Sequence, residues 1–278
     1  MHTHKSWPLL RDTPPTRSIA VTRRRPVRLY IGARQSMALV SQMTAKERES
    51  LTNSQMLGML NSLVGERYIV KGNGTCWLYA VMGALGVLEH GKKSMLAEKD
   101  TKESSPTARD EARSKWLLAE MRTFCDIDVP QPEGGQPGFA KEREQLCESL
   151  KSLKVWHRGM GARHATKGGA ELFWLLSCMA EAGVVVLDKT TLGKAARKPR
   201  APYKNTPAEQ KHASYWGGTA KMAPRTLTLM STVKMLQTTT HPLLVIEFDS
   251  TAEHFAYYKH TAVAPERFQL GQKIVQSA

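Results

Sequence analysis

The sequence predicts an α/β fold of the α+β kind, a small central β-sheet flanked by helices, and three observations carry that reading. An apolar helix follows a glycine-rich turn between Lys71 and Gly91. A β-branched run occupies Val184 to Leu187, and two strand-like runs, Leu243 to Phe248 and His254 to Tyr258, are joined by a polar turn from Asp249 to Glu253. The chain has 278 residues, 41% hydrophobic and 23% charged, enough to bury a core. Forty Lys and Arg against 25 Asp and Glu leave a net charge of +15. Polyanions, nucleic acid among them, are therefore candidate partners.

The elements follow in order. Residues 1–44 hold eight basic residues, including Arg23, Arg24 and Arg25, against Asp12 alone, and Pro8, Pro14, Pro15 and Pro26 interrupt any period. That composition predicts a disordered basic segment, with residues 45–278 as the folded domain. Thr44 and Glu47 have capping-box spacing, and Leu51, Met56, Met59, Leu60 and Leu63 recur on one face, which predicts a helix from Ala45 to Val64. After two glycines and Thr75, the apolar residues Leu78, Val81, Met82, Leu85 and Leu88 fall at helical spacing, with Gly91 as a stop. Further helices are expected over 108–124, 141–151 and 172–179. The stretch 189–226 has nine basic residues against Glu209 and reads as a solvated basic insertion between strands. The core is expected from Leu78, Val81, Met82 and Leu85 with Leu172, Leu175, Leu176 and Met179.

The longest apolar stretch, Trp77 to Leu88, is shorter than the roughly 20 residues of a membrane span. The opening residues show no apolar core of a secretory signal, and Cys76, Cys125, Cys147 and Cys178 are widely spaced with no Cys-x-x-Cys pair. An intracellular protein, cytoplasmic or nuclear, with free thiols and no membrane partner, is expected.

Cys76 carries the chemical reading. A cysteine at the start of a helix meets unpaired amides and the positive end of the helix dipole, which favour thiolate over thiol. The preceding turn, Lys71-Gly72-Asn73-Gly74-Thr75, could aim backbone N–H groups at an oxyanion beside the sulfur. Such a nucleophile needs a base, ordinarily a histidine brought near by the fold. His2 and His4 lie in the basic segment, and His90, His157, His164, His212 and His241 lie in polar sequence without clear pattern. His254 opens a strand and is the favoured base, whereas His260 stands at that strand's far end.

The chain resembles the ovarian tumour (OTU) domain family of papain-like cysteine proteases. Asn73-Gly74-Thr75-Cys76 and its apolar helix approximate the family's Asp-Gly-Asn-Cys motif. Gly168-Gly169-Ala170-Glu171-Leu172, leading into Gly183 to Leu187, resembles its Gly-Gly-x-Glu-Leu helix and strand, and Val245-Ile246 followed by His254-Phe255 resembles its late strand and His-aromatic pair. The resemblance implies a papain-like OTU fold and a thiol deubiquitinase acting on ubiquitin or a ubiquitin-like protein. In that reading Cys76 and His254 are catalytic, Asn73, Gly74 and Thr75 form the oxyanion loop, and no cofactor or metal is implied. Two departures stand out: Asn73 and Thr75 replace the family's Asp and Asn, and Ala256 occupies the position, two after the histidine, where many members carry an orienting Asp or Asn. Asp249, Glu253 or a residue upstream of Cys76 are the candidates for that third role. The alternatives are a catalytically inactive OTU-like module whose basic segments bind nucleic acid or protein partners, and a papain-like polyprotein-processing protease.

Overall fold

The computed structural model describes residues 42–71, 75–94, 105–127, 139–152, 170–203, 211–217, 224–259 and 268–277. The basic segment 1–44, apart from its last three residues, lies outside them, as do Gly168, Gly169 and the glycine- and proline-rich loop at 130–138.

Thr44 does cap a helix. Its hydroxyl accepts from the Glu47 amide while the Glu47 carboxylate accepts from the Thr44 amide. That helix, α1, ends at Glu49 (Ala45–Glu49), and a second, α2, runs Asn53–Val64, so the single helix expected over this stretch is two. The break has a local cause: Thr52 is extended (φ −88°, ψ 161°) and forms its own capping box with Gln55, while bridging to Pro202 across the molecule. β1 (Glu66–Ile69) follows, then α3 (Cys76–Ala84), which starts where its apolar spacing predicts. α3 stops earlier than Gly91, because Gly86 takes a left-handed φ of 77° and the Val87 amide turns back to the Met82 carbonyl.

A short β2 (Lys92–Lys93) precedes three helices, α4 (Ala108–Ile127), α5 (Phe139–Ser152) and α6 (Ala170–Met179). Next come β3 (Gly183–Asp188), α7 (Lys189–Arg197), β4 (Ala213–Trp216), β5 (Arg225–Leu227) and α8 (Leu229–Thr238). β6 (Leu243–Asp249), β7 (His254–Lys259) and α9 (Gln269–Ser277) complete the order. The strands form one mixed sheet, β2-β1-β7-β6-β3-β4-β5, in which β3 and β6 are parallel and the other neighbours antiparallel. The fold is mixed α/β, with seven strands among the described residues where the sequence predicts three.

Each sheet face buries a core. Alternation along β6 sends Leu244 and Ile246 to one side, against α3, α4 and α6, and Leu243 and Val245 to the other, against α2, α7 and α8. The expected core residues Leu78, Val81, Met82, Leu85, Leu172, Leu175 and Leu176 are buried on the first side, with Met179 half-buried at its margin.

Two expectations are corrected. The basic stretch at 189–226 is not a solvated insertion: with the residue after it, it supplies α7, β4 and β5, because Leu192, Ala213, Trp216 and Leu227 are placed to bury themselves while Lys194, Arg197, Lys198, Arg200, Lys211 and Arg225 stay exposed. Nor are all four cysteines free thiols. Cys125 of α4 and Cys147 of α5 form a disulfide across a 5.8 Å Cα separation, while Cys76 and Cys178 are in no disulfide. Among the described residues no helix is long and apolar enough to cross a membrane.

Candidate active site at one end of the sheet

β1 places Cys76. It runs antiparallel to β7, with Glu66 opposite Lys259 and Ile69 opposite Ala256, so it finishes at the end of the sheet where β7 begins. The chain then turns through Val70 and Lys71 and starts α3 at Cys76. α3 runs back along β7 until Gly83 meets Tyr257, so closely that a Cβ on Gly83 would sit 2.5 Å from the ring. From that contact Cys76 lies seven residues back along the helix and His254 three residues back along the strand, in each case about 10 Å. The Cys76 thiol and the favoured base are therefore brought to the same end of the sheet.

Their surroundings differ. Cys76 is 1% exposed and belongs to the apolar cluster that includes Trp77, Phe173, Trp216 and Phe255. Thr75, also buried, is the N-cap of α3 but makes no side-chain cap (φ −110°, ψ 8°). Asn73 and Gly74 lie outside the described residues. His254 is 9% exposed. The pleat of β7 turns Phe255 and Tyr257 toward α3, and puts His254 in phase with Ala256 and Tyr258 on the opposite face. His254 stands at the first residue of the strand, directly after Glu253, which takes a left-handed φ of 49° where the chain leaves the pleat.

The two candidate orienting acids separate clearly. Asp249 is the direct cross-strand partner of His254, on the same face of the β6–β7 hairpin, where paired Cβ atoms lie about 5 Å apart. Its carboxylate also accepts from the Thr251 and Ala252 amides at 2.9 and 3.2 Å and pairs with Lys189 at 3.2 Å. A carboxylate has about four acceptor sites, so these contacts leave capacity for an imidazole. Glu253 lies exposed in the turn. Ala256 stands opposite the buried Glu247, whose carboxylate is held by the Arg67 guanidinium (2.8 Å) and the Tyr258 hydroxyl (2.7 Å).

Two histidines that the sequence places in polar surroundings are in fact buried. The His90 ring nitrogen Nδ1 lies 2.7 Å from Asp110, and His90 meets Tyr79 of α3 edge-on. Burial pushes the Asp110 carboxyl upward, but hydrogen bonds from His90, the Glu89 and Thr107 amides and the Thr107 hydroxyl outweigh it and hold the carboxyl down at about 2. Burial pushes His212 down to about 4. Neither could be read from spacing, since each is buried by residues distant in the chain. His157, His164 and His260 lie outside the described residues.

A pocket of about 210 Å³ opens at this same end of the sheet. β3 and β6 finish there, β4 and β7 begin there, and Phe248 stands opposite both Asp188 and Phe255. Pockets at the carboxyl ends of parallel strands are where α/β sheets commonly bind ligands. Among the described residues no cluster of His, Cys, Asp and Glu has a metal-holding arrangement. Comparison of the chain with family models, curated proteins and solved structures finds no match.

Proposed function

We propose that the chain is a thiol-dependent hydrolase of the OTU kind, with a papain-like arrangement of helix and sheet, cleaving the isopeptide bond between the C-terminal glycine of ubiquitin or a ubiquitin-like protein and a lysine. One observation carries the reading: topology brings a cysteine outside any disulfide, at a helix start, and a strand-opening histidine to one end of the sheet. A sheet with helices on it hosts many activities, so the reading rests on that pair and on the motifs around it.

In this reaction the Cys76 thiolate attacks the carbonyl carbon, and the developing oxyanion is received by amides of the Asn73-Gly74-Thr75 turn. The C–N bond breaks as protonated His254 gives its proton to the leaving lysine amine, leaving a thioester on Cys76. His254 then takes a proton from water, whose oxygen attacks the thioester; the C–S bond breaks and the thiolate is restored. The pairing of Asp249 with His254 across the hairpin supports Asp249 as the residue that orients the ring.

Incubation with ubiquitin carrying a C-terminal electrophile should give one covalent adduct, on Cys76, and none in Cys76→Ala. An adduct that survives Cys76→Ala removes Cys76 as nucleophile.

A second reading is favoured by a specific pair of observations. Cys76 is only 1% exposed and belongs to an apolar cluster, and Ala256 fills the position of the usual orienting residue. Both suit an inactive OTU-like module that binds nucleic acid through its basic segments. That reading predicts no adduct and a steep loss of oligonucleotide binding with added salt.

A further inference from the structure

The pocket at the carboxyl ends of β3 and β6 is not used by the chemistry above, and its lining carries two opposite charges, Asp188 and Lys211. Asp188 ends β3 and Lys211 precedes β4, and the Asp188 amide donates to the His212 carbonyl at 2.8 Å, so the two charges stand on neighbouring strands. They form no ion pair with each other, and among the described residues neither has another charged partner. One Asp188 oxygen accepts from the Thr190 and Thr191 amides at the start of α7 (2.8 and 3.2 Å), which leaves the other without a hydrogen bond among those residues. Lys211 is exposed, on a flexible stem that lets its ammonium swing over the mouth. The nearby Lys189 and Asp249 neutralise each other at 3.2 Å, and burial keeps His212 uncharged at neutral pH, so neither changes this balance.

The inner wall is aromatic. Phe173 of α6 lies 5.3 Å from Trp216 and 6.0 Å from Phe255, and Phe255 lies 4.6 Å from Phe248, centroid to centroid. Phe248 is only half-buried, so ring surface is left open. Ser214 and Thr226 face each other across β4 and β5 at the rim, and neither hydroxyl has a partner among the described residues. Size limits the occupant: about 210 Å³ falls below the roughly 300–1,000 Å³ of sites for drug-sized ligands, which excludes a nucleotide or a prosthetic group. Charge limits it further. A simple anion is repelled by Asp188, a simple cation by Lys211, and a wholly apolar ligand would strip water from both charges and return no partner. A zwitterion with both charges on one carbon meets each with its opposite, while a ring attached to it gains tilted contacts with the aromatic wall.

We propose that this pocket binds a free aromatic α-amino acid, with its ammonium against Asp188, its carboxylate against Lys211 and the rim hydroxyls, and its ring against Phe248 and Phe255. The site is independent of the hydrolase reading, because it uses neither Cys76 nor His254. A residue within a polypeptide has neither charge, and a chain terminus has only one, so the site selects the free amino acid over either.

Calorimetric titration of the full chain tests this with four probes: L-phenylalanine, its amide, which lacks the carboxylate, N-acetyl-L-phenylalanine, which lacks the ammonium, and glycine, which lacks the ring. Phenylalanine should bind saturably. The amide and the acetyl derivative should each bind about tenfold more weakly. Glycine should bind about tenfold to a hundredfold more weakly. These comparisons need no variant, so they do not depend on how a substitution folds. Two variants then assign each charge. Asp188→Asn keeps an N-cap acceptor for α7 and removes only the charge, and it should bind phenylalanine and its acetyl derivative alike. Lys211→Gln, at an exposed position, should bind phenylalanine and its amide alike. No saturable binding of phenylalanine overturns the proposal, as does an amide or acetyl derivative bound as tightly as phenylalanine by the wild type. Discrimination that survives in the matching variant overturns it too. None of these readouts involves turnover, so their failure leaves the hydrolase reading untouched, and the failure of that reading leaves them in place.

Discussion

At the scale of single residues, burial decides which titrating groups shape the chemistry and the stability of the chain. His212 is enclosed beside Thr191, with ring nitrogen and hydroxyl 3.1 Å apart, and burial lowers it from 6.5 to about 4. The unfolded chain therefore binds a proton there at a higher pH than the folded chain does. The contribution of His212 is full above pH 6.5 and is lost as pH falls through that value toward about 4. Between pH 7.5 and pH 5 the wild type should lose about 2 kcal/mol more of its unfolding free energy than His212→Gln does, as measured by urea titration. Equal losses would show that His212 is not held neutral by the fold. Asp110, held at about 2, acts only at a lower pH and does not confuse the comparison. Neither residue announces itself in the sequence: what buries His212 and what pairs His90 with Asp110 is set by distant elements, and short-range patterns carry no record of it.

Elements were legible where a single face is buried and a terminus is punctuated. α3 shows both, with apolar residues at three- and four-residue spacing and glycines at its boundaries, and β6 is an apolar run covered on both faces. The split between α1 and α2 was encoded too, in a second capping box three residues beyond the first helix, but the continuous apolar spacing from Leu51 to Leu63 obscured it. Thr52→Ala removes the α2 cap and should lower stability by about 1 kcal/mol in thermal or urea unfolding, and Thr52→Ser should restore most of it. No change on Thr52→Ala would mean that the bridge to Pro202, rather than the cap, sets the break. α8 was available to the same reasoning, since Thr228 caps it and Leu229, Val233 and Leu236 share a buried face. β1, β4 and β5 were not. They are three or four residues long and rich in polar side chains, and β1 buries Arg67, a choice that makes sense only beside Glu247, 180 residues away.

Across the whole molecule, the sheet order explains how distant segments come to share one end. The chain lays down β1 and α3 early and β6 and β7 late, and the antiparallel pairing of β1 with β7 closes a span of 178 residues between Cys76 and His254. The motifs and their order were readable in the sequence. The pleat phase of His254, the enclosure of Cys76, the cross-strand placement of Asp249 and the aromatic pocket were not, because each depends on register rather than on composition. The central claim is that Cys76 and His254 act as one catalytic unit. Its most direct test is the hydrolysis of a fluorogenic C-terminal amide of ubiquitin by the wild type and by His254→Ala. The account predicts measurable turnover by the wild type and a fall in kcat of about a thousandfold or more on loss of the imidazole. A His254→Ala enzyme that turns over as fast as the wild type would contradict it.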